Sequence, residues 1–408
     1  MKSPSAVPAF SKEAQLKRKI RKELRSLGFK QSHGQLIPPE PGDKETIRQY
    51  HLLQRKEMLS KNTEFLNSKS ESLIKFIANG NEIYPEKIQL RLEQISANTW
   101  QSDLFRFASL TWSVPVSNGF GRRIRYLVWD DYNGKLAGIF ALGDPVYNSR
   151  TRELHVGWNA ATKKKRLVNL LDAYVLGAIP PYNALLVGKI IACLVRSKQV
   201  VDDFRRKYNS TVGLISKEAK NAELLAVTTS SSMGRSSVYN RLALDGHKFF
   251  VPIGYTEGWG HFHFSASLFS EIRDHLRSLG HNYADNSRFG SGPNWKMRTL
   301  REGMQSLGFD PNLLKHGIRR QSFLCSLADN SIQALQASAD EPIEAEWRTI
   351  KDVSELSFLG VQRWAIPRAT RMPVFTHYKR EKMLSELEKL GSPKTLEIDF
   401  PLANRGPN

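Results

Sequence analysis

Residues 125–140 read RYLVWDDYNGKLAGIF, two apolar runs on either side of a polar turn that ends in Asn133-Gly134. Asn-Gly between β-prone runs is a strong local signal of a β-hairpin, because glycine adopts positive φ without steric cost. Further along the chain, the short apolar run 174–179 is ended by Pro180-Pro181, which predicts a buried strand. The sequence therefore predicts a hairpin followed by a central strand.

Helices and strands alternate in the prediction for the next part of the chain. A long helix is predicted at 183–208, and its front half, 184–195, is apolar almost all round and should be buried. A strand at 224–229, a short helix at 236–244 and a strand at 249–253 complete the pattern. This order resembles the GCN5-related N-acetyltransferase (GNAT) fold. The resemblance implies an α+β fold with a GNAT-like central mixed sheet flanked by helices.

The composition is that of a packed and strongly basic protein. Of the 408 residues 40% are hydrophobic, and the formal net charge is +20. Proteins this basic bind polyanions, most often nucleic acid, so DNA or RNA is the predicted partner. The two cysteines, Cys193 and Cys325, lie in apolar runs, which argues against disulfides and cysteine-based zinc sites. No apolar run approaches the ~20 residues of a membrane span, so a cytoplasmic protein without a membrane partner is predicted.

Helical extensions are predicted on both sides of the core. Helices are expected at 11–27, 44–66 and 88–107 before the core strands, and at 295–307 and 320–335 after them. The basic run at the N-terminus is typical either of a solvated helix face or of an arm that contacts phosphates. The predicted domains are a basic helical N-terminal region at 1–85, the GNAT-like core at 86–285, and a basic, mainly helical C-terminal region at 286–408.

Basic residues are spread over several segments, without a recognition-helix or zinc-finger pattern. This distribution predicts contacts to phosphates rather than to base edges. Trp364 and Tyr378 lie among basic residues and either stack on unpaired bases or serve as ordinary packing aromatics. An ion-pair network between domains is the alternative role for the basic motifs 294–298 and 316–320. The candidate phosphate-binding residues are Lys296, Arg298, Arg319, Arg320, Lys379 and Arg380.

The GNAT resemblance also implies where a cofactor would bind. Such enzymes present a turn of the form Arg/Gln-x-x-Gly-x-Gly/Ala to the CoA pyrophosphate, at the start of a helix. Here Asn183 stands at the first basic position, Leu186 replaces the middle glycine and Gly188 takes the last position. This degenerate site predicts that no cofactor binds and that Asn183 caps the helix instead. Enzymatic activity is left open, and its absence is favoured.

Catalytic and metal sites have few candidates. Tyr239 falls where GNAT enzymes place a tyrosine that protonates the leaving thiolate, although a core or rim tyrosine is the alternative. His261 and His263 would face the same side of a strand and, with His247, could form a metal site, but we expect them to be metal-free. Acids that a two-metal nuclease would need lack a recognisable spacing. They are Asp130, Asp131, Asp144, Asp202 and Asp203.

A second resemblance rests on longer motifs. Those motifs are 125–126 with 136–138, 155–158 with 166–170, 183–188, 239–243, 292–298 and 314–320. Over roughly 100–330 the chain is similar to the DruA family of Druantia anti-phage systems. The resemblance implies bacterial antiviral defence beside other Druantia subunits, including a helicase-type protein. The expected function is nucleic-acid binding on a GNAT-like scaffold without acyl-CoA chemistry. The alternatives are an acyl or aminoacyl transferase and an unfamiliar metal-dependent nuclease.

Overall fold

A computed structural model describes residues 11–33, 35–38, 44–117, 119, 121–212, 219–261, 263–285, 295–338 and 341–391. The strands are β1 (Lys30–Ser32), β2 (Gln35–Ile37), β3 (Leu90–Gln94), β4 (Arg123–Asp130), β5 (Lys135–Gly143), β6 (Leu170–Ala178), β7 (Ser210–Val212), β8 (Ala219–Asn221), β9 (Ala226–Ser230), β10 (Ala243–Leu244), β11 (His247–Lys248), β12 (Val251–Tyr255) and β13 (Gln321–Ser326).

The helices lie between and around these strands. They are α1 (Lys12–Ser26), α2 (Lys44–Ser60), α3 (Thr63–Ile74), α4 (Trp100–Ser109), α5 (Arg150–Val156), α6 (Ala160–Arg166), α7 (Val187–Leu194), α8 (Lys198–Tyr208), α9 (Ala266–Ser278), α10 (Trp295–Ser306), α11 (Ser331–Gln336), α12 (Val353–Gly360), α13 (Ile366–Arg371) and α14 (Arg380–Gly391). None of them, within the described ranges, is long and apolar enough to cross a membrane.

Seven strands form one mixed sheet in the order β12-β13-β9-β6-β5-β4-β3. All neighbours are antiparallel except β6 and β9, which run parallel. The predicted hairpin is confirmed as β4 and β5, and Gly134 in its turn has φ 66°. Helices cover both faces of the sheet, since α7, α8 and α12 pack into one apolar cluster and α3, α4 and α14 into another. The expected α+β class with a central mixed sheet and flanking helices is thereby confirmed.

The chain divides into two compact units, and each is discontinuous in sequence. The sheet unit comprises Lys56–Thr256 and Arg320–Thr395, and the helical unit comprises Met1–Arg55, Glu257–Arg319 and Leu396–Asn408. Within the helical unit, α9 packs against α1 and α10. The division does not fall at residues 85 and 285, and the predicted three-part organisation stays a prediction.

Two predicted helices begin instead with strands of the large sheet. Residues 88–107 contain β3 before α4, and residues 320–335 contain β13 before α11. The prediction was wrong there because β13 pairs with β9 on one side and β12 on the other, and this long-range pairing outweighs local helical periodicity.

The predicted helix at 183–208 is also divided. A short 3₁₀ turn, Tyr182–Leu185, is followed by Leu186 at φ 61°, a left-handed conformation that no right-handed helix contains. A second break separates α7 from α8 at Ser197, whose backbone is extended at φ −100° and ψ 153°. The predicted helix at 236–244 is in fact a 3₁₀ turn, Tyr239–Arg241, followed by β10. The predicted helix at 44–66 ends at Ser60, after which α3 begins.

The contact between α7 and the sheet gives a stability prediction. A Cβ atom on Gly138 would lie 2.4 Å from the carbonyl oxygen of Gly177 and 2.4 Å from Cδ1 of Ile191. A Cβ on Gly188 would meet its nearest atom, the amide nitrogen of Ala178, at an ordinary 3.5 Å. We expect Gly138→Ala to lower the free energy of unfolding in urea by about 1–3 kcal/mol, because the backbone must move. Gly188→Ala is the matched control and should be neutral or stabilising; equal losses would contradict this packing.

Candidate functional site: a strand fork and a cationic cluster

Strands β6 and β9 stay paired over only three residues. The pairs are Leu170 with Ala226, Leu171 with Val227 and Asp172 with Thr228. Beyond them β6 continues along β5, and β9 continues along β13, so the two strands part. We call the point of separation at Asp172 and Thr228 the strand fork.

Side chains bridge the two strands where their backbone pairing ends. Thr228 Oγ1 donates a hydrogen bond of 2.8 Å to Asp172 Oδ1, and Thr229 Oγ1 donates one of 2.9 Å to the carbonyl of Ala173. These two threonines point to opposite faces of the sheet, as successive strand residues do. The fork is therefore polar on both of its faces.

Asp172 is the titratable group at the fork. The residue as a whole keeps some solvent-exposed surface, but its carboxyl is surrounded by protein atoms. This burial raises the pKa of the carboxyl to about 6. The hydrogen bond from Thr228 and the positive charge of Arg152 oppose the rise without cancelling it. An acid that titrates near neutrality can take up or release a proton at physiological pH.

Arg152 supplies the positive charge near Asp172. Its side chain is 2% exposed, and its two terminal nitrogens donate to the carbonyls of Val146, at 2.8 Å, and Tyr147, at 2.9 Å. The guanidinium carbon lies 5.8 Å from the centre of the Trp158 ring. The fixed backbone acceptors and the ring hold this buried cation in one place.

Tyr239, the predicted catalytic candidate, lies close to the fork. Its ring packs 5.0 Å from Phe250 and 5.2 Å from Phe323, centre to centre, and its hydroxyl shares a hydrogen bond with Thr229. Burial raises the pKa of Tyr239 to about 12, and the negative charge of Asp172 adds to this rise. The phenol therefore keeps its proton at neutral pH and can act as a hydrogen-bond donor.

Helix α7 begins near the C-terminal end of β6, at Ala178, in an unusual backbone conformation. The residue at its N-cap position is Leu186, with φ 61° and ψ 18°, so the prediction that Asn183 caps the helix was wrong. Asn183 lies exposed in the preceding 3₁₀ turn, and Gly188 packs against the backbone of Ala178 at the end of β6. Leu186 thus holds a left-handed backbone conformation, which glycine adopts more readily than leucine does.

Three cations lie close together beside the start of α7. The Lys189 ammonium is 5.5 Å and the Arg363 guanidinium carbon 6.0 Å from the centre of the same ring, that of Trp364. Burial, and then repulsion by Arg241 and Arg363, lower the pKa of Lys189. Within the described part of the chain no carboxylate forms an ion pair with Lys189, Arg241 or Arg363. We call these three residues the cationic cluster.

Sequence reasoning did not identify most residues of the fork and of the cationic cluster. One kind of signal was available, a charged residue inside an apolar element. Asp172 is a charged residue inside the otherwise apolar strand LLDAYVLGA, and an ionisable group in a buried strand indicates function. Lys189 is similarly the one charged residue of the apolar helix VGKIIACL. Arg152, Thr228 and Arg241 carry no comparable local signal.

Comparison with known proteins identifies the family. The family model described as Druantia protein DruA matches residues 42–337. The chain is also 51% identical over 400 residues to the Druantia protein DruA of Escherichia coli (strain UMEA 4076-1), covering 97% of this chain and 98% of that protein. The chain belongs to the DruA family. No solved structure matches it.

The family match includes the fork and the start of α7, whereas Arg363 lies beyond residue 337. The resemblance to the DruA family that several motifs carry is thereby confirmed. One of those motifs, 292–298, is described only from Trp295 onward, and its first three residues lie outside the described part.

The six predicted phosphate-binding residues divide equally between the two units. Lys296, Arg298 and Arg319 belong to the helical unit, and Arg320, Lys379 and Arg380 belong to the sheet unit. Lys296, Arg319 and Lys379 are exposed, while burial lowers the pKa of Arg320. Lys296 also lies 5.5 Å from the centre of the Phe269 ring.

Arg380 makes several contacts that stabilise the fold. Its guanidinium donates to the carbonyl of Ile77 at 3.1 Å, and its backbone N–H donates to Asn79 Oδ1 at 3.0 Å. The Glu82 carboxylate is 3.8 Å from the same guanidinium. Removal of Arg380 would therefore affect folding as well as any phosphate contact.

His261 and His263, which were considered as metal ligands on one face of a strand, do not lie in a strand. His261 lies in a bend and His263 in a turn, and both belong to the helical unit, whereas His247 belongs to the sheet unit. His263 Nε2 lies 2.8 Å from the carbonyl of Leu313, and burial lowers the pKa of this histidine to about 4. Among the described residues, no group of three His, Cys, Asp or Glu side chains is placed to hold a metal ion.

The acids considered for a nuclease site form hydrogen bonds or ion pairs with other residues of the fold. Asp130 accepts a hydrogen bond of 2.8 Å from the Tyr182 hydroxyl, and Asp203 accepts one of 2.9 Å from the Tyr126 hydroxyl. Asp131, Asp144 and Asp202 form ion pairs with arginines, and their partners are Arg91, Arg122 and Arg205, respectively.

The environment of Asp172 predicts a pH effect on stability. Because its pKa in the fold is raised to about 6, the folded state holds this proton more tightly than the unfolded state does. The contribution of Asp172 to wild-type stability should therefore fall as pH rises from about 4 to about 6, the interval between the ordinary and the raised value. Asn cannot ionise but can still accept the Thr228 hydrogen bond. We expect the stability of Asp172→Asn relative to wild type to rise over this interval, in urea unfolding at a series of pH values.

The control is Asp352→Asn, at an exposed carboxyl on the surface. A stability difference for Asp172→Asn that does not change with pH would contradict a raised pKa.

Proposed function

We propose that this chain is a subunit of a bacterial Druantia anti-phage defence system and binds DNA or RNA through phosphate contacts. Family membership supports the defence role, and other Druantia subunits, including a helicase-type protein, are the proposed partners. The proposed scaffold is GNAT-like. Support for it comes from the parallel pair β6 and β9, which part after three residues, and from α7, which packs on β5 and β6.

The observation that carries the phosphate contact is the cationic cluster. Like charges that lie close together repel one another, and this repulsion adds to the effect of burial in lowering the pKa of Lys189. An anion bound among Lys189, Arg241 and Arg363 would remove the repulsion and gain attraction from all three. Arginine suits phosphate in particular, because its planar guanidinium donates two parallel hydrogen bonds.

The position of the cluster favours the same class of ligand. Lys189 is the third residue of α7, and helix N-termini present backbone N–H groups that attract anions. Arg368 donates from Nε to the carbonyl of Ala184 at 3.1 Å and adds a further positive charge near this end of α7. We expect these Lys and Arg side chains to contact phosphate oxygens rather than base edges, so binding should tolerate any sequence.

Replacement of the cluster residues tests the proposal. Lys189→Ala, Arg241→Ala and Arg363→Ala should each weaken binding of unrelated DNA and RNA sequences alike. Each should also reduce the slope of log affinity against log salt by about one, because one phosphate contact is lost. Titration of labelled oligonucleotides at several salt concentrations measures both quantities. Lys61→Ala, at an exposed lysine on the surface, is the matched control.

The six residues predicted from sequence belong in the same series. Among them Lys379→Ala is the clean test, whereas Arg380→Ala should also lower the melting temperature because of its bond to Ile77. If all cluster variants and Arg319→Ala, Arg320→Ala and Lys379→Ala melt normally and bind with unchanged affinity and salt slope, the proposed phosphate contact is wrong.

A second candidate function, acyl or aminoacyl transfer, is favoured by the fork itself. Asp172, with a pKa of about 6, and the protonated Tyr239 are the acid–base groups that such chemistry uses. The side chain of Leu186 argues against it, because this position in the GNAT pattern is a glycine that lets the cofactor approach the backbone.

We therefore expect no measurable affinity for acetyl-CoA. Isothermal titration of the full chain with acetyl-CoA, and the melting temperature in its presence, give the measurement. A saturable signal that is lost on Lys189→Ala would show that the cationic cluster binds the pyrophosphate of acyl-CoA rather than nucleic acid.

A further inference from the structure

A groove lies beside β3, the edge strand of the seven-stranded sheet. It encloses about 790 Å³ between this strand and α12. Its apolar lining comes from Ile88, Leu90, Val353, Val361 and Phe358. The Phe358 side chain is 63% exposed, although phenylalanine gains much free energy from burial. We call this feature the β3–α12 groove.

The edge of β3 is already engaged at two of its backbone groups. The N–H of Leu90 donates to Ser357 Oγ at 2.9 Å, and the carbonyl of Leu92 accepts from Gln199 Nε2 at 3.2 Å. A strand added to this edge would have to displace both side chains. An occupant of the groove should therefore bind through side chains rather than by extending the sheet.

The charged residues that line the groove are three acids and one arginine. Glu86 and Asp352 are exposed, and neither forms an ion pair with any basic residue that the structure describes. The third acid, Asp131, is paired with Arg91 at 2.8 Å, so Arg91 does not neutralise the other two. Glu86 also attracts the neighbouring Lys87 ammonium. With Lys87 and Arg91 included, the three acids still leave a net negative charge around the apolar floor, which on a chain of formal net charge +20 favours a cation over phosphate.

Two exposed aromatic side chains lie near lining residues in the sequence. Tyr84 and Tyr132, which are 48% and 44% exposed, meet at 5.7 Å in an edge-to-face pair, and the Lys87 ammonium lies 4.9 Å from the centre of the Tyr132 ring. Tyr84 is two residues from Glu86 in the chain, and Tyr132 follows Asp131. Tyrosine and phenylalanine are enriched at protein–protein interfaces, because they bury a large area at a small entropic cost.

We propose that the β3–α12 groove docks a segment of another protein, in which a Lys or Arg lies beside an aliphatic or aromatic anchor. The anchor packs on Phe358 and the apolar floor, and the cation pairs with Glu86 and Asp352. Charge complementarity selects this occupant over nucleic acid. The inference does not depend on phosphate binding at the cationic cluster, because it uses different residues and the opposite charge.

The test uses synthetic peptides of about 15 residues that tile the other proteins encoded in the same defence locus. Their binding to the full chain is measured by fluorescence anisotropy. At least one peptide with a basic residue next to an apolar one should bind. Phe358→Ala should weaken it about tenfold or more, as expected for an interface anchor. The double variant Glu86→Gln/Asp352→Asn should weaken it and reduce its salt dependence.

Matched controls separate the groove from general surface effects. Leu154→Ala removes an apolar side chain that is 72% exposed, and Glu64→Gln removes an exposed acid from α3. Neither should change peptide affinity. All of these residues are exposed, so the melting temperatures should stay at the wild-type value. Phe358→Ala should leave oligonucleotide affinity unchanged, which distinguishes failure of this inference from failure of the proposed function.

A charge exchange gives the sharpest outcome. The chain with Glu86→Lys and Asp352→Lys should lose the native peptide and gain one in which the basic residue is changed to Glu. The inference is overturned if no peptide binds, or if binding survives Phe358→Ala and the charge exchange. Self-association that sedimentation shows to depend on Phe358 would assign the groove to a second copy of this chain and would overturn it as well.

Discussion

The parting of β6 and β9 after three residue pairs is the constraint on which this structure depends. Two parallel strands that diverge leave backbone and side-chain polar groups without a sheet partner. The chain meets this requirement with Thr228 and Thr229, which bridge to Asp172 and to the carbonyl of Ala173. The same divergence places a carboxyl where burial raises its pKa to about 6. A titratable carboxyl and two threonine hydroxyls thus lie together at one point of the sheet.

The basic residues serve two distinct purposes, although the composition counts them together. Arg152, Arg196 and Arg380 donate to backbone carbonyls and help to fix the fold; Arg196, for example, bonds to the carbonyls of Ser326 and Thr349. Lys189 and Arg363 instead lie over one indole ring without an acidic partner among the described residues. A net charge of +20 therefore does not tell which basic residues stabilise the fold and which lack an acidic partner.

Local sequence signals succeeded where local contacts decide the structure. The hairpin of β4 and β5 needs only two β-prone runs and a turn, and α10 at Trp295–Ser306 needs only helical periodicity. The signals failed for β3 and β13, whose partners are distant in the chain. Leu186 is a further case, since leucine has no local preference for positive φ and adopts it only because the surrounding packing requires it.

The sequence by itself determined the family, the α+β class, the central hairpin, the burial of the segment that forms α7 and the excess of positive charge. These properties follow from residue type, periodicity and motif, which need no knowledge of distant contacts. Only the tertiary structure decided that Asp172 accepts a hydrogen bond from Thr228. The same is true of Lys189 and Arg363, which both lie near the Trp364 ring, and of Glu86 and Asp352, which line one groove. The physical reason is that each depends on residues far apart in the chain, and pKa values and ion pairing are set by those neighbours rather than by the residue itself.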